Sequence, residues 1–379
     1  MLNQQYAILT VIDSYIEPLL IPVISSDKLG VCCGTIQIDS VSSSCGKAQG
    51  DRFKLTIPYV KQNLTWNVFF DSQCPEMGPD FIFNDNTFLA DMDIDTLSTK
   101  VPSLAKWNPN DHNALLNVLV ELLACYKQHQ IQLLQKQTRL QIEYHMLMES
   151  TEMKQENVEM ILLPFSSKPT EAKFLINLTV DLSKLQTRTC NSETDTAMLL
   201  VVFSGTDWNR IIPQLYFSKS LEEILGRTDT LSIPPFPPDQ YLLNYVQRIK
   251  KYISDKINSV VQKLERKREY LAAFVSLKRN CSLEFDAINS SYMSALLSEN
   301  DFYFVLNIQL PLEFPYEPPL VSMISVYHMV SQNNPYTEIV QNYPYDSAWK
   351  PSHMINELLR FVKQNVKKFQ CNSCRICTL

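Results

Sequence analysis

Short stretches in which hydrophobic and polar residues alternate predict two antiparallel meanders, one toward each end of the chain. In the first meander Leu64, Trp66, Val68 and Phe70 occupy every second position. Its predicted strands are residues 31–38, 52–57 and 64–70, followed by a short apolar strand at 81–83. The predicted strands of the second meander are 283–288, 292–297, 302–310 and 321–326. A third group of strands, at 172–182, 198–204 and 214–217, lies between the meanders.

Hydrophobic residues spaced three and four apart predict helices before and after these strands. An opening helix spans 4–20 and ends toward Pro18 and Pro22. After Asp239 the spacing predicts a helix of roughly 35 residues, with basic residues on its polar face. A closing helix is predicted at 352–369.

A longer helix is predicted in the first half of the chain, because residues 110–163 contain neither proline nor glycine. Asn110 and Asp111 follow a proline and are residue types that cap helices well, so the helix is expected to begin at one of them. We expect a break near 127–130.

The order of helix, meander, proline-bracketed turn, strand and final helix occurs at both ends of the chain. The middle of the chain is similar to a degenerate third copy. A chain of 379 residues is long enough for two or three domains of about 100–200 residues each. The sequence therefore predicts an α+β fold of tandem modules joined by long helices. The predicted boundaries are 1–148, 149–240 and 241–370, with a tail at 371–379.

Two segments of the central module are predicted to lack helix and strand. The polar loop at 186–195 is expected to be mobile. Residues 233–238 contain four prolines, which favour extended backbone. This segment is interpreted as an internal spacer, or as a proline-rich ligand for an aromatic groove.

The composition excludes several classes of function. The chain has only 7 glycines and none after Gly226, so the two common Gly-rich phosphate-binding motifs are absent. A formal net charge of −6 argues against a dedicated nucleic-acid-binding protein. We find no secretory signal and no run of about 20 apolar residues, so we predict no membrane contact. We expect reduced cysteines in the cytosol or nucleus.

Charge is unevenly distributed along the chain. Residues 62–99 contain seven acidic residues and no Lys or Arg, whereas residues 248–268 contain eight basic residues and two acidic ones. Such segments are typical of solvated faces, or of contacts with an oppositely charged protein. The residues predicted to dock an acidic partner are Arg248, Lys251, Lys263, Arg266 and Lys267.

The sequence predicts no metal site and no cofactor. Cys371, Cys374 and Cys377 would supply three thiolates, whereas a structural zinc site usually takes four ligands. We interpret residues 371–379 as an unstructured or merely thiol-rich terminus. The five histidines form no His-x-His pair and no His-Glu-x-x-His motif, so a metal-dependent protease site is not expected.

The segment Phe314–Pro319 (FPYEPP) resembles the aromatic-Pro-x-x-Pro-Pro turn of the ubiquitin-conjugating fold, and Cys74–Pro79 (CPEMGP) is a weaker version. The resemblance implies tandem ubiquitin-conjugating-like modules of the UEV or RWD type. Conjugating enzymes carry ubiquitin on a cysteine thiolate. No cysteine lies between Cys281 and Cys371, and Cys125, the first after the N-terminal turn, falls within the long predicted helix.

Both end modules are therefore predicted to be non-catalytic variants of the conjugating fold. The family's His-Pro-Asn segment is also missing, although residues 107–110 (WNPN) partly resemble it. An enzyme would instead need to form a thioester at Cys74 or Cys125.

The proline turns and two tryptophans are candidate contacts with ubiquitin or with a partner protein. The resemblance implies that such turns and the sheet face hold ubiquitin or partner segments. The alternative is that the prolines shape the turns and the tryptophans fill the core. The candidate residues are Met77, Pro79, Trp107, Tyr316, Pro318, Pro319 and Trp349.

Several longer segments resemble the family of brain and reproductive organ-expressed proteins, the BRE family. They are residues 51–55 (DRFKL), 79–83 (PDFIF), 107–109 (WNP), 267–274 (KREYLAAF), 325–328 (SVYH) and 342–345 (NYPY). The resemblance implies a non-catalytic scaffold subunit of two deubiquitinase assemblies, the cytoplasmic BRISC and the nuclear BRCA-A complex. In both assemblies a separate metal-dependent protease cleaves ubiquitin chains joined through lysine sixty-three.

The same resemblance implies partners and a location. The implied partners are a metal-dependent deubiquitinase subunit, an Abraxas-family scaffold and a von Willebrand-A-like adaptor. Ubiquitin and serine hydroxymethyltransferase are two further implied partners. The chain is expected in cytoplasm and nucleus, with roles in the DNA damage response and in cytoplasmic signalling. The alternative function is a free-standing ubiquitin-binding adaptor in conjugation or trafficking.

Overall fold

The computed structural model describes residues 8–26, 29–32, 34–44, 49–90, 93–165, 168–183, 185, 196–226, 231–331 and 334–377. The chain divides into two compact units, the first holding residues 1–180 and 194–253, the second holding 181–193 and 254–379. Both units contain helices and antiparallel strands, which confirms the predicted α+β class. The polar loop at 186–195, predicted to be mobile, lies outside the described residues.

Two antiparallel sheets of four strands, each in chain order, form the framework of the first unit. The N-terminal sheet contains β1 (Gln37–Ser42), β2 (Arg52–Tyr59), β3 (Gln62–Phe69) and β4 (Asp80–Phe83). The central sheet contains β5 (Val158–Leu163), β6 (Glu171–Thr179), β7 (Thr196–Ser204) and β8 (Arg210–Phe217). The helices of this unit are α1 (Glu17–Ser25), α2 (Ile94–Lys100), α3 (Pro102–Ala105), α4 (Ala114–Gln135), α5 (Thr138–Glu149) and α6 (Lys219–Leu225), with a 3-10 turn at Gln155–Asn157.

The two sheets of the first unit share one hydrophobic core. Leu55 and Trp66 lie opposite each other on β2 and β3 and are fully buried. Ile161 of β5 and Leu175 of β6 belong to the same buried cluster. Burial of an aliphatic side chain of this size stabilises a fold by about 1.5–3 kcal/mol. The modules predicted at 1–148 and 149–240 thus lie in one compact unit.

A long helix, α7 (Leu242–Leu277), begins in the first unit and continues in the second. The backbone N–H of Leu242 donates to Oε2 of Glu143, which is buried on α5, at 2.6 Å. A carboxylate at this position satisfies one of the unpaired N–H groups of the first helical turn and favours the positive end of the helix dipole.

A five-stranded antiparallel sheet forms the framework of the second unit. Its order is β13 (Asn334–Ile339), β12 (Leu320–Ser331), β11 (Phe302–Gln309), β10 (Tyr292–Glu299) and β9 (Ser282–Phe285). Helix α8 (Pro351–Cys377) completes the unit. Leu306 and Met323, paired on β11 and β12, form one core with Leu358 and Val362 of α8.

The opening helix predicted at 4–20 is wrong in its bounds. Residues 8–9 are helical, the chain leaves the helix at 10–16, and α1 begins at Glu17 with Pro18 in its first turn and Pro22 inside it. Proline at the start of a helix loses only an N–H that has no helical partner there, so Pro18 opens the helix rather than ending it. Residues 1–7 lie outside the described part of the chain.

The first predicted strand, at 31–38, is also misplaced, because β1 begins only at Gln37. The backbone N–H groups of Val31 and Cys32 donate to the two carboxylate oxygens of Glu159 on β5, at 2.7 and 3.3 Å. This part of the chain therefore bonds to a side chain of the central sheet and not to a neighbouring strand.

The long helix predicted at 110–163 is two helices followed by a strand. Helix α4 begins at Ala114, because the carboxylate of Asp111 accepts the N–H of Asn113 at 2.9 Å in a turn before the helix. The break falls at residues 136–137, not at 127–130. Residues 158–163 form β5, which is buried on both faces, so its apolar residues, broken only by Glu159, fit the pattern of a helix as readily as that of a strand.

The second unit departs from the prediction at two places. Strand β13 was not predicted, and α8 continues to Cys377 instead of ending near residue 369. Of the two interpretations of the tail, an unstructured terminus is therefore wrong for residues 371–377. The buried face of α8 continues from Val366 and Phe369 to Ser373, a polar residue that hydrophobic periodicity does not detect. Residues 378–379 lie outside the described part.

None of the helices in the described ranges is both long and apolar enough to cross a membrane.

Candidate protein-interaction surfaces

The C-terminal proline turn, residues 311–319 between β11 and β12, is anchored to helix α7. Phe314 is fully buried and packs edge to face on Tyr270, with ring centroids 5.2 Å apart. Beside it, Nζ of Lys263 lies 2.6 Å from Oε2 of Glu313. The turn is thus held by an aromatic contact in the core and an ion pair at the surface.

Two tyrosines after β13 also hold the C-terminal proline turn in place. The hydroxyl of Tyr345 donates to the carbonyl oxygen of Pro315 at 2.5 Å. The hydroxyl of Tyr343 donates to the carbonyl oxygen of Pro319. Burial raises the pKa of Tyr345 to about 12, so both hydroxyls keep their protons near neutral pH. A proline turn held by these hydrogen bonds and side-chain contacts loses little conformational entropy when it binds a partner.

The anchored turn presents apolar side chains to solvent. The exposed fractions of the side chains of Leu312 and Tyr316 are 85% and 76%, and Pro318 is also exposed. Pro319 is buried, so of the three residues predicted in this turn, Tyr316 and Pro318 are accessible to a partner. Leu312 was not predicted as a contact residue.

Trp349, the predicted contact of this unit that lies outside the turn, is half-buried before α8. Its ring lies 4.5 Å from that of His353, centroid to centroid. Its carbonyl oxygen accepts a hydrogen bond from Nη2 of Arg266 at 2.8 Å. Arg266 also pairs with Glu269 at 3.2 Å. Trp349 thus holds the start of α8 against α7 as well as presenting part of its ring.

The five basic residues predicted to dock an acidic partner differ in their surroundings. Arg248 and Lys251 are exposed on α7. Lys263 and Arg266 are partnered within the second unit, as described above. Lys267 is only 8% exposed, and burial lowers its pKa. Arg248 and Lys251 are therefore the members of the set that face solvent directly.

In the N-terminal proline turn, Met77 is 62% exposed whereas Pro79 is buried. The ring of Trp107 packs beneath this turn. Its ring centroid lies 6.0 Å from that of Phe70, and a Cβ added to Gly78 would be 3.3 Å from its Cγ. The structure thus places Trp107 in the packing beneath the turn and Met77 at its surface.

The two cysteines considered as thioester sites lie in different surroundings. Cys74 is half-buried at the start of the N-terminal proline turn. Cys125 lies on α4, and its thiol donates to the carbonyl oxygen of Lys100 at 3.8 Å. Burial raises the pKa of Cys125, which disfavours the thiolate that nucleophilic attack requires.

His129, one helical turn after Cys125, belongs to a separate hydrogen-bonded network. The hydroxyl of Thr87 donates to Oδ1 of Asp85 at 2.6 Å, so its oxygen is free to accept the Nε2–H of His129 at 3.0 Å. Burial lowers the pKa of His129, which favours this neutral imidazole. The arrangement orders the loop after β4 and does not activate the Cys125 thiol.

Within the described ranges of the chain, no group of three or more His, Cys, Asp or Glu side chains could hold a metal ion. Cys371 and Cys374 are exposed on α8, while the side chain of Cys377 lies outside the described part.

Sequence reasoning missed the two tyrosines that hold the C-terminal turn. Tyr343 and Tyr345 lie in the NYPY segment, which carried part of the family resemblance but received no role. Their hydroxyls reach carbonyls 24 and 30 residues away in the chain. The available signal was a pair of aromatic residues around a proline in an otherwise polar segment.

Comparisons with known proteins give one consistent result. The model of the family described as "Brain and reproductive organ-expressed protein (BRE)" matches residues 10–329. A protein of Branchiostoma floridae named "BRISC and BRCA1-A complex member 2" is 32% identical over 364 residues, which is 94% of each chain. A protein of Danio rerio with the same name is 31% identical over 367 residues, again 94% of each chain.

Proposed function

Because this chain belongs to the BRE family, we propose that it is a non-catalytic scaffold subunit of a deubiquitinase complex of the BRISC and BRCA1-A type. The observation that carries this proposal is the similarity, over 94% of both chains, to relatives that are named as members of such a complex. A match of this extent includes both compact units and both proline turns.

In this proposal the chemistry belongs to another subunit. A metal-dependent protease cleaves ubiquitin chains joined through lysine sixty-three, and this chain positions it together with an Abraxas-family scaffold and a von Willebrand-A-like adaptor. Ubiquitin and serine hydroxymethyltransferase are further proposed partners. The proposed locations are the cytoplasm and the nucleus. The raised pKa of Cys125 and the separate network of His129 support a role without a nucleophile.

The C-terminal proline turn is the surface we propose for a partner subunit. Leu312, Tyr316 and Pro318 protrude from a base held by Phe314, and exposed aromatic side chains on a rigid base are typical of binding hot spots. Met77 on the N-terminal turn is proposed as a second contact. Arg248 and Lys251 are proposed to meet an acidic surface, an interaction that would weaken with added salt.

The native assembly of the endogenous protein tests the scaffold role. We expect the tagged protein, isolated gently, to leave a sizing column in a large assembly that contains a metal-dependent deubiquitinase. Elution as a single species of 43.7 kDa would contradict the proposal. That result, together with saturable binding of ubiquitin to the full chain, would favour the free-standing ubiquitin-binding adaptor.

A substitution in the turn tests the surface separately from the function. Tyr316→Ala should reduce the partner subunits recovered with the chain at least about tenfold, a typical effect of losing one hot-spot residue. The control is Tyr303→Ala, because Tyr303 is 46% exposed on β11, in the same unit but outside the turn. Equal recovery with both variants would remove the turn from the interface but would leave the scaffold proposal standing.

A further inference from the structure

The last turns of helix α8 place a thiol against an imidazole. Sγ of Cys374 lies 3.6 Å from Nε2 of His328, which is on β12 in the same compact unit. This distance is within hydrogen-bonding range for sulfur, whose radius is larger than that of oxygen. Cys374 is exposed, so a small reagent can reach the sulfur.

The neighbouring serine contacts the other ring nitrogen of His328. Oγ of Ser373 donates to the carbonyl oxygen of Gln370 at 2.9 Å, and Ser373 is fully buried. Nδ1 of His328 lies 3.0 Å from Oγ of Ser373 and 3.4 Å from Oγ of Ser325. In the tautomer whose proton is on Nδ1, this proton is donated to Ser373 and the Nε2 lone pair faces the Cys374 thiol.

The strand that carries the imidazole is itself ordered by a buried serine. Oγ of Ser325 accepts the backbone N–H groups of His328 at 3.1 Å and of Tyr327 at 3.3 Å. Ser325 is 3% exposed. Cys374, His328 and Ser373 therefore supply the three parts of an activated nucleophile: a thiol, a base within reach, and a side chain that orients the base.

We propose that Cys374 is a hydroperoxide-reactive thiol and a site of reversible oxidation, with His328 as its base and Ser373 as the residue that positions the base. In the reaction Nε2 of His328 takes the thiol proton while sulfur attacks the distal oxygen of the peroxide. An S–O bond forms and the O–O bond breaks, so sulfur loses two electrons and the peroxide gains them. The proton then passes to the leaving oxygen, giving a sulfenic acid and water or an alcohol.

A second cysteine lies on the same helix as Cys374. Cys371, one turn earlier, is exposed on the same helix and provides an internal comparison. The two thiols share a helix, and the structure gives Cys374 the imidazole contact.

Site-resolved oxidation of the full chain tests the proposal. The protein is treated with hydrogen peroxide in the presence of a cyclic 1,3-diketone that traps sulfenic acids, and is then digested with trypsin. Cleavage after Lys368 and Arg375 leaves both cysteines on one peptide, residues 369–375, so fragment ions report their labelling under identical conditions. Cys374 should be labelled at least about tenfold faster than Cys371, in keeping with general-base catalysis. Equal labelling rates would overturn the proposal.

Two variants separate base catalysis from simple exposure. His328→Gln should bring the ratio of the two labelling rates close to one, and Ser373→Ala should lower it by removing the hydroxyl that positions the ring. Circular dichroism checks that the variants stay folded. If His328→Gln unfolds, the proposal is tested by comparing the ratio of the Cys374 and Cys371 labelling rates in the wild-type protein with that in Ser373→Ala. A ratio unchanged in a folded His328→Gln protein would show that His328 is not the base.

Discussion

At the scale of single residues, the contact between Gly30 and Glu159 shows how the two sheets of the first unit depend on each other. Glu159 is 4% exposed on β5, and its carboxylate accepts N–H groups from Val31 and Cys32. A Cβ at Gly30 would lie 2.0 Å from Oε1 of Glu159. A glycine is therefore needed for the chain to pass this close to the carboxylate.

We expect Gly30→Ala to destabilise the protein by about 1–3 kcal/mol, because the carboxylate must leave at least one buried N–H unpaired to make room. The measurement is the midpoint of urea unfolding. In a Glu159→Ala background the same substitution should cost much less, since the clashing oxygen is gone. An equal cost in both backgrounds would mean that Glu159 is not what excludes the side chain.

The titration of Glu159 gives a pH-dependent prediction. Burial raises its pKa above the ordinary value of 4.5, so the folded state holds the proton more tightly than the unfolded state does. The stability that this proton contributes is present below the unfolded pKa and is lost as the pH rises through the folded pKa. Glu159→Gln removes the titration without changing the size of the side chain.

As the pH rises, the wild-type protein should lose unfolding free energy relative to Glu159→Gln. The loss should be about 1.4 kcal/mol for each unit by which folding raises the pKa of Glu159. The loss should appear in urea unfolding curves recorded from about pH 4.5 to about pH 7.5. Glu76→Gln serves as the control, because Glu76 is exposed in the same unit. A wild-type-to-Gln difference that does not change with pH would show that Glu159 does not titrate in this range.

At the scale of elements, the C-terminal proline turn depends on hydrogen bonds from a segment that follows the next hairpin. Tyr343 reaches the C-terminal end of the turn at Pro319, Tyr345 reaches Pro315 near its centre, and the neighbouring Phe314 is buried. The prolines restrict the local backbone, but these distant hydroxyls fix where the turn lies. The turn is therefore a feature of the whole unit and not of its own sequence alone.

Tyr343→Phe combined with Tyr345→Phe should loosen the turn without disturbing the core, because only two hydroxyl groups are removed. Each lost hydrogen bond is worth about 1 kcal/mol, so local opening should become at least about fivefold more frequent. Hydrogen exchange at the amides of Tyr316 and Glu317, both bonded to the carbonyl of Glu313, reports that opening. Tyr316→Phe is the control, and it should leave both exchange rates unchanged.

At the scale of the whole molecule, the first compact unit joins two sheets that the sequence divided between modules. Ile161, Leu175, Met198 and Leu200 of the central sheet are buried in the same cluster as the N-terminal sheet. A fragment that ends at residue 148 would leave the partners of these side chains in water. The compact unit, not the repeat, defines the piece of chain expected to fold.

We expect a fragment of residues 1–253 to unfold cooperatively and a fragment of residues 1–148 to lack a cooperative transition. The physical reason is the apolar surface left uncovered, at about 25 cal/mol for each Å². Thermal unfolding followed by near-ultraviolet circular dichroism distinguishes the two fragments. A cooperative transition in the shorter fragment would show that the N-terminal module is independent.

Strand alternation predicted the meanders well wherever one face of a sheet is buried and the other is exposed. Leu64, Trp66 and Val68 lie on the buried face of β3, and Phe304 and Leu306 on that of β11. Strand β5 was missed because it is buried on both faces, which leaves no alternation to read. The candidate contacts were identified by residue type, which does not distinguish exposed Met77 from buried Pro79.

The sequence by itself determined the α+β class, most of the strands, the long helix α7 and the family, because these depend on local periodicity and on segments read in order. Tertiary structure decided which of the predicted residues face solvent and which are held inside. It paired Lys263 with Glu313, placed Glu159 under Val31, and brought His328 to Cys374, 46 residues further along the chain. Contacts between residues so far apart in sequence leave no periodic signal, and they form only when the elements pack.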